Sequence, residues 1–420
     1  MPVYLALYNR SMTLYSCLFF LFITLNSCYS SDKPSDRKFQ SFENAQADSL
    51  SFIKMDDNSS PTKIKLSNLN ESSRILDLNN IVESVKYISL ETSRESLISG
   101  IEKMSIYKDH IYILDNLNKS LLVFSNTGKF IRKIGKYGKG PHEFINPINF
   151  IIHEDRILVL DDKNSKILIY SIEGEYLEET AVGFRFNDFL IASDSTYIVN
   201  TDTRTNHHNK AIENYKLLIV NKTWKALARG NLYDSYQCGE ITFTRDALYR
   251  SSNKSILYNP MFSYHIYEFK NNNFYSKYTF DAPGMTLPEN FECGLNYDDF
   301  SNKYDGQNSP YAFIDKPIIE SPNWLITTFR HKAQNAFMFY NRNSGETYWG
   351  VFYDDDAKSF VFLAPIKGMT DRGQFYSHTS SLDLKNRYLK YEKNTGKKNE
   401  MLININEGDN PVIILYDLKK

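Results

Sequence analysis

The chain has 420 residues, with 49 Lys and Arg against 50 Asp and Glu, for a formal net charge of -1. That length can bury a large core, and the even balance argues against a nucleic-acid partner, because phosphate binding draws on clustered basic side chains. Tyr (30) and Phe (28) are abundant and Gly (18) is modest, a composition that suits strands.

The first element is an apolar run, Leu14 to Leu25. It has the length of a signal h-region and is too short to span a bilayer comfortably. Arg10 supplies a weak basic flank, and a start at Met12 would remove it. The run ends in Leu25-Asn26-Ser27-Cys28, which resembles the lipobox of bacterial lipoproteins. The resemblance implies cleavage before Cys28 and a diacylglyceryl group on its thiol, with the lipid bilayer as partner. An ordinary cleaved signal is the plainer alternative. Residues 28–62 are rich in Ser, Asp, Asn and Lys without apolar periodicity and read as a flexible tether. The expected organisation is a signal peptide over 1–27, the tether over 28–62 and one folded domain over 63–420, placed in the cell envelope. Cys238 and Cys293 could form a disulfide there or remain two buried thiols. No C-x-x-C pair points to zinc.

Past the tether, VKYISLET (85–92) reads as an early strand. IYILDNLNKSLLVFSNTGKFIRKIG (111–135) and ILVLDDKNSKILIYSIEGEYLEETA (157–181) then repeat one pattern 46 residues apart. Asp115 answers to Asp161 and Gly128 to Gly174. Short apolar runs separated by turn residues make four antiparallel strands per unit, and a period in the forties points to propeller blades. Later blades are read at about 184–229, 239–281 and 310–350. The last has SFVFLAP, GQFYSHT, a helix around SSLDLKNRYLKYEKN, and PVIILYDL. It lacks a fourth strand, which VKYISLET would supply, closing the ring and removing two free edges. The fold class is therefore all-β, a six-bladed propeller of four-stranded blades.

IYILDNLNKSLLVFSNTGKF resembles the NHL repeat. GKYGKGPHEFINP (135–147) is similar to the G-x-G-P-G-E-F signature of six-bladed β-propeller lipoproteins of Gram-negative bacteria, through Gly138, Gly140, Pro141 and Glu143. His142 stands where that family usually has Gly. VKYISLET and DNPVIILYDLK resemble its opening and closing strands. The resemblance implies a fold and an envelope location and no established activity.

In antiparallel blades the second-to-third-strand loops and the blade-to-blade connections share one face, and the long insertions collect there. Long connections are uncommon without a use. The connection from Asp281 to Pro310 carries Tyr297, Asp298, Asp299, Asn302 and Tyr304, and the strand count sets it beside Arg330 and His331. Aromatic faces among carboxylates and amides suit a glycan or peptide ligand. Asp115 and Asp161 read as turn caps rather than metal ligands, Glu143 as a residue that fixes its turn, and the adjacent His207 and His208 as pointing apart. No G-x-S-x-G, H-E-x-x-H or phosphate-binding Gly loop is present, so no catalytic residue, metal or cofactor is assigned. A binding or scaffold module is the expected function. The alternative, implied by the NHL resemblance, is a lyase or lactonase with a metal near the ring axis.

Overall fold

The computed structural model describes residues 39, 42, 47–67, 76–202, 204, 206–232, 246–288, 291, 297–315, 317–351 and 363–420. Cys28, Cys238 and Cys293 lie outside them.

The apolar runs of the repeat are continuous because each sheet is buried on both faces. In the strand His110–Asp115, Ile111 and Ile113 pack with Ile413 and Leu415 of the last blade. Tyr112 and Leu114, one residue out of phase, pack with Phe150 and Ile157 of the second. Alternation of side chains along a strand thus feeds two interfaces at once. Six apolar clusters of this kind join consecutive blades, and the one holding Ile111 joins the last to the first, so the blades form a closed ring.

Blade one comprises Lys103–Tyr107, His110–Asp115, Ser120–Ser125 and Phe130–Ile134; blade two comprises Pro147–His153, Arg156–Asp161, Lys166–Ser171 and Tyr176–Ala181. Blade three is Asp188–Ser193, Thr196–Asn200, Tyr215–Asn221 and Ala226–Leu232, and blade four is Leu248–Arg250, Ile256–Tyr258, His265–Lys270 and Asn273–Asp281. In blade five the first strand is split into Ala312–Ile314 and Ile319–Glu320, followed by Trp324–His331, Gln334–Asn341 and Thr347–Val351. Blade six takes Gly368–Met369, Phe375–Thr379, Val412–Leu418 and, from the start of the domain, Val82–Ser89. Ile88 sits opposite Ile413 in that last antiparallel pair, the closure expected from VKYISLET. Gly128, at φ +84°, lets blade one approach this strand: a Cβ there would stand 2.0 Å from the Ser89 carbonyl oxygen.

The first four residues of SFVFLAP, read as the opening of blade six, fall outside the described set; Leu363 and Ala364 are buried, and Gly368–Met369 pairs with the next strand of that blade. One expectation needs correction: within the stretch read as a tether, residues 51–62 do not run free. Ser51–Ile53 lies parallel on Ala228–Gly230 of blade three, Met55–Asp56 on blade four, and Thr62–Lys65 again on blade four. The Trp349 indole then donates to the Ser67 carbonyl at 3.0 Å, and the Leu76 amide donates to Val351 at 3.0 Å, both on blade five. The segment is a belt along the outer edges of three blades. It reads as polar because each short strand buries about one residue, such as Ile53 or Ile64, and exposes its neighbours.

The helix Ser381–Thr395 interrupts blade six as expected. The Ser380 hydroxyl accepts from the Asp383 amide at 3.0 Å and Gly396 ends it at φ 68°.

Candidate functional site

Each blade places one polar side chain in or beside its first strand: Lys103, Asn149, Asp188, Asp246, Asp315 and Lys367. Lys103 of blade one lies 3.6 Å from Asp246 of blade four, on the opposite side of the ring, so these residues meet at the axis. Half of the set is tied together. The Lys103 ammonium donates to Asn149 at 2.8 Å, and the Asn149 amide donates to Asp188 at 3.0 Å. Asp188, fully buried, also accepts from the Ala247 and Leu248 amides at 3.0 and 2.8 Å. Burial pulls the Lys103 pKa down, but Asp246 and Asp188 more than offset it and the net shift is upward. Burial raises Asp188 by more than Lys103 and the two amides lower it.

The other half opens into a cavity of about 320 Å³ lined by Lys367, His378, Asp246, Asp315, Tyr249 and Asn335, among others. Burial lowers the Lys367 pKa against the pull of Asp246 and Asp315. Its side chain is nevertheless in contact with solvent, as befits a group at the wall of a deep opening. Burial, and then Lys367, bring His378 down to about 4, so its imidazole is neutral near pH 7. Burial pushes the Tyr249 phenol well above its ordinary value, and its hydroxyl donates to the Asp246 carbonyl at 2.9 Å.

A second cavity, of about 590 Å³, runs between blades five and six past Arg330, Ser380 and Asp383. Asn335, Pro365 and His378 line both cavities, so the cleft adjoins the axial opening. Arg330 is fixed there. Its guanidinium donates to one Asp305 carboxylate oxygen at 3.1 and 2.7 Å and to the Asn335 side-chain oxygen at 3.2 Å.

The residues expected to bind a ligand are distributed unevenly. The connection carrying them does reach Arg330, through Asp305. Asp298 and Asp299 are exposed in the short helix Tyr297–Phe300. Tyr304 is not a platform for a ligand: its ring is buried, 5.2 Å from Phe300, in a cluster with Phe313 and Leu287. Aromatic side chains on a long connection here build a small core of their own, which the surrounding Asp and Asn disguise in sequence. His331 is also turned inward, with Nδ1 2.9 Å from the Tyr311 carbonyl.

The motif residues are structural in their contacts. Asp115 is buried and accepts from the Ser99, Leu117 and Asn118 amides, and Asp161 accepts from Ile145 and Asn146. Each therefore ties a turn to the connection entering its own blade. Glu143 accepts from the Gly140 amide at 2.8 Å, and a Cβ on Gly138 would strike its carboxylate at 1.9 Å. Pro141 precedes His142, which holds φ 65°, a conformation that favours Gly; its ring stacks on Tyr176 at 3.5 Å. His207 and His208 point apart, one to Glu213 and the other to the Gly183 carbonyl. Among the described residues no three His, Cys, Asp or Glu side chains form a metal-binding group.

Sequence reasoning passed over Lys103, Asp246, Asp315, Lys367 and His378. The available signal was a charged or amide residue recurring in or beside the first strand of each blade.

No curated protein matches the chain. Among solved structures, a Bacteroides fragilis protein inferred to be exported is 18% identical with a TM-score of 0.69, covering 86% of this chain and 100% of its own. A DUF4221 family member from Bacteroides vulgatus is 10% identical with a TM-score of 0.47, covering 82% and 100%. Virginiamycin B lyase from Staphylococcus aureus is 10% identical with a TM-score of 0.39, covering 70% and 81%. The first of these supports the propeller fold. The family model for "Domain of unknown function (DUF4934)" matches residues 61–417, and the chain belongs to that family.

Proposed function

We propose that the protein is an exported, lipid-anchored binding module that takes a small polar ligand, or the polar end of a glycan or peptide, at the mouth of the ring. The observation that carries this reading is the junction at Asn335 and His378, where the axial cavity adjoins the cleft between blades five and six. Both volumes fall within the roughly 300–1,000 Å³ of small-molecule sites. Their walls combine charged and amide groups with Tyr249, Pro317 and Pro365. Export and anchoring rest on the apolar run before Cys28; export alone is also supported by the similar fold of an inferred exported protein.

Binding is tested by an array of glycans, short peptides and amino acids on the purified protein. Hits that compete with one another and weaken on Asn335→Ala support the reading; an array without a single hit refutes it. Anchoring is tested by Cys28→Ser, which moves the protein into the soluble envelope fraction, and an intact mass showing unmodified Cys28 in the native protein would sink that part.

A further inference from the structure

Three donors converge on the axial cavity without being used up by the protein. Lys367 makes no ion pair or side-chain hydrogen bond among the described residues, unlike Lys103, which is held by Asn149, Asp188 and Asp246. The His378 ring likewise has no hydrogen-bond partner among the described residues. Asn335 spends its oxygen on Arg330, which leaves its NH₂ as the group available to the cavity. Arg330, clamped by Asp305, therefore acts as a positioning residue that decides which end of the amide is presented. The same cavity is also lined by Asp246, Asp315 and Glu102, and by Lys103, whose ammonium is already held by Asn149 and Asp246.

We propose, resting on the binding reading above, that this cavity takes a small zwitterion of the amino-acid class. Its carboxylate is received by Lys367, His378 and the Asn335 amide, and its ammonium faces Asp246 and Asp315. The mixed-sign wall selects this chemistry. A phosphate dianion would meet a single uncommitted ammonium and three acidic side chains, and like charges disfavour it. A neutral sugar would bring neither a carboxylate to the Lys367 ammonium nor a cation to the acidic side. A carboxylate supplies that charge with short, charge-assisted hydrogen bonds, and an ammonium at the other end answers the acidic side.

The test is calorimetric titration of the purified protein with each of the amino acids, with the amide and the N-acetyl derivative of the best binder, and with glucuronate and glucose. One or more amino acids should bind. The amide and the N-acetyl form should each bind at least about tenfold more weakly, the scale of one lost charge-assisted hydrogen bond. Lys367→Met should lose the ligand while Lys367→Arg retains it. His378→Asn, which keeps polarity without the imidazole, should weaken binding about tenfold. Melting temperatures of the variants confirm that each remains folded. If glucuronate or glucose binds as tightly as any amino acid, or if folded Lys367→Met and His378→Asn both bind unchanged, the zwitterion site is overturned while the binding-module reading stands. If nothing in this set or in the wider array binds, both fall together.

Discussion

Lys277 measures how strongly blades four and five are held by charge. Its ammonium lies 2.8 Å from Glu268 in its own blade and 2.9 Å from Glu320 in the next. The two carboxylate side chains are 7% and 2% exposed. Glu320 also accepts from the Tyr278 hydroxyl at 2.7 Å and pairs with Arg342 at 3.0 Å, and Glu268 also pairs with Lys270. Lys277→Met keeps most of the packed stem and removes the charge that both acids share. Each acid retains one cationic partner, so the cost falls at the lower end of that for breaking a buried pair, about 3 kcal/mol. Urea unfolding should show a lower midpoint with an unchanged slope. Adding Glu320→Gln to Lys277→Met removes the stranded charge and should recover roughly 1–2 kcal/mol relative to additivity. A single-variant cost under about 0.5 kcal/mol, or strictly additive behaviour, would mean that water replaces the ammonium and that the network does not hold the blades.

The same network predicts an acid limb of stability. Burial pushes Glu268 up, but Lys270 and Lys277 pull it down further, to about 2 from 4.5. A carboxyl lowered on folding stabilises above its unfolded value, so on the order of 1–2 kcal/mol, discounted for the solvent exposure of Lys270, is present above pH 4.5 and should drain away as pH falls toward 2. Unfolding measured across that window should show this loss, and Lys277→Met should flatten it. Gly230→Ala would set a methyl 2.6 Å from the Ile53 Cβ and 2.7 Å from its carbonyl oxygen. It should lift the belt from blade three and speed tryptic cleavage after Lys54, at a cost of about 1–3 kcal/mol; unaltered cleavage would show that the edge yields without releasing the belt. Deleting Val82–Ser89 exposes an edge on Val412–Leu418 and should give aggregation. A monomer with an unchanged melting temperature would contradict that strand's role in closure.

The architecture was legible where one local pattern sufficed. The twofold repeat around Asp115 and Asp161 revealed four-stranded blades, and the missing strand at the end of the chain required VKYISLET to come from its beginning. The belt was not legible, because Ser51–Ile53 and Thr62–Lys65 each bury about one side chain and lie on edges distant in sequence. Periodicity cannot register a strand that short. Tyr304 was misread for a related reason. The loop's Tyr304 looked like an exposed aromatic among acids, but Phe300 and Phe313 fold over it. Arg330 was identified, whereas Asn335, Lys367 and His378 at the axis come from separate parts of blades five and six and meet only when those blades pack together.

The belt and the closing strand also set an order of assembly. Ser51–Ile53 and Val82–Ser89 are made well before their partners, Ala226–Leu232 in mid-chain and Val412–Leu418 in the last blade. During synthesis the leading segment therefore waits without a template, and blades one and two can zip locally while the ring stays open. Contacts of such sequence separation form slowly because loop closure comes before any reward. The axial residues of blade six join those of blade one when the last strand arrives. Ligand competence should therefore appear late and all at once, as a report on completed closure rather than on the folding of any single blade.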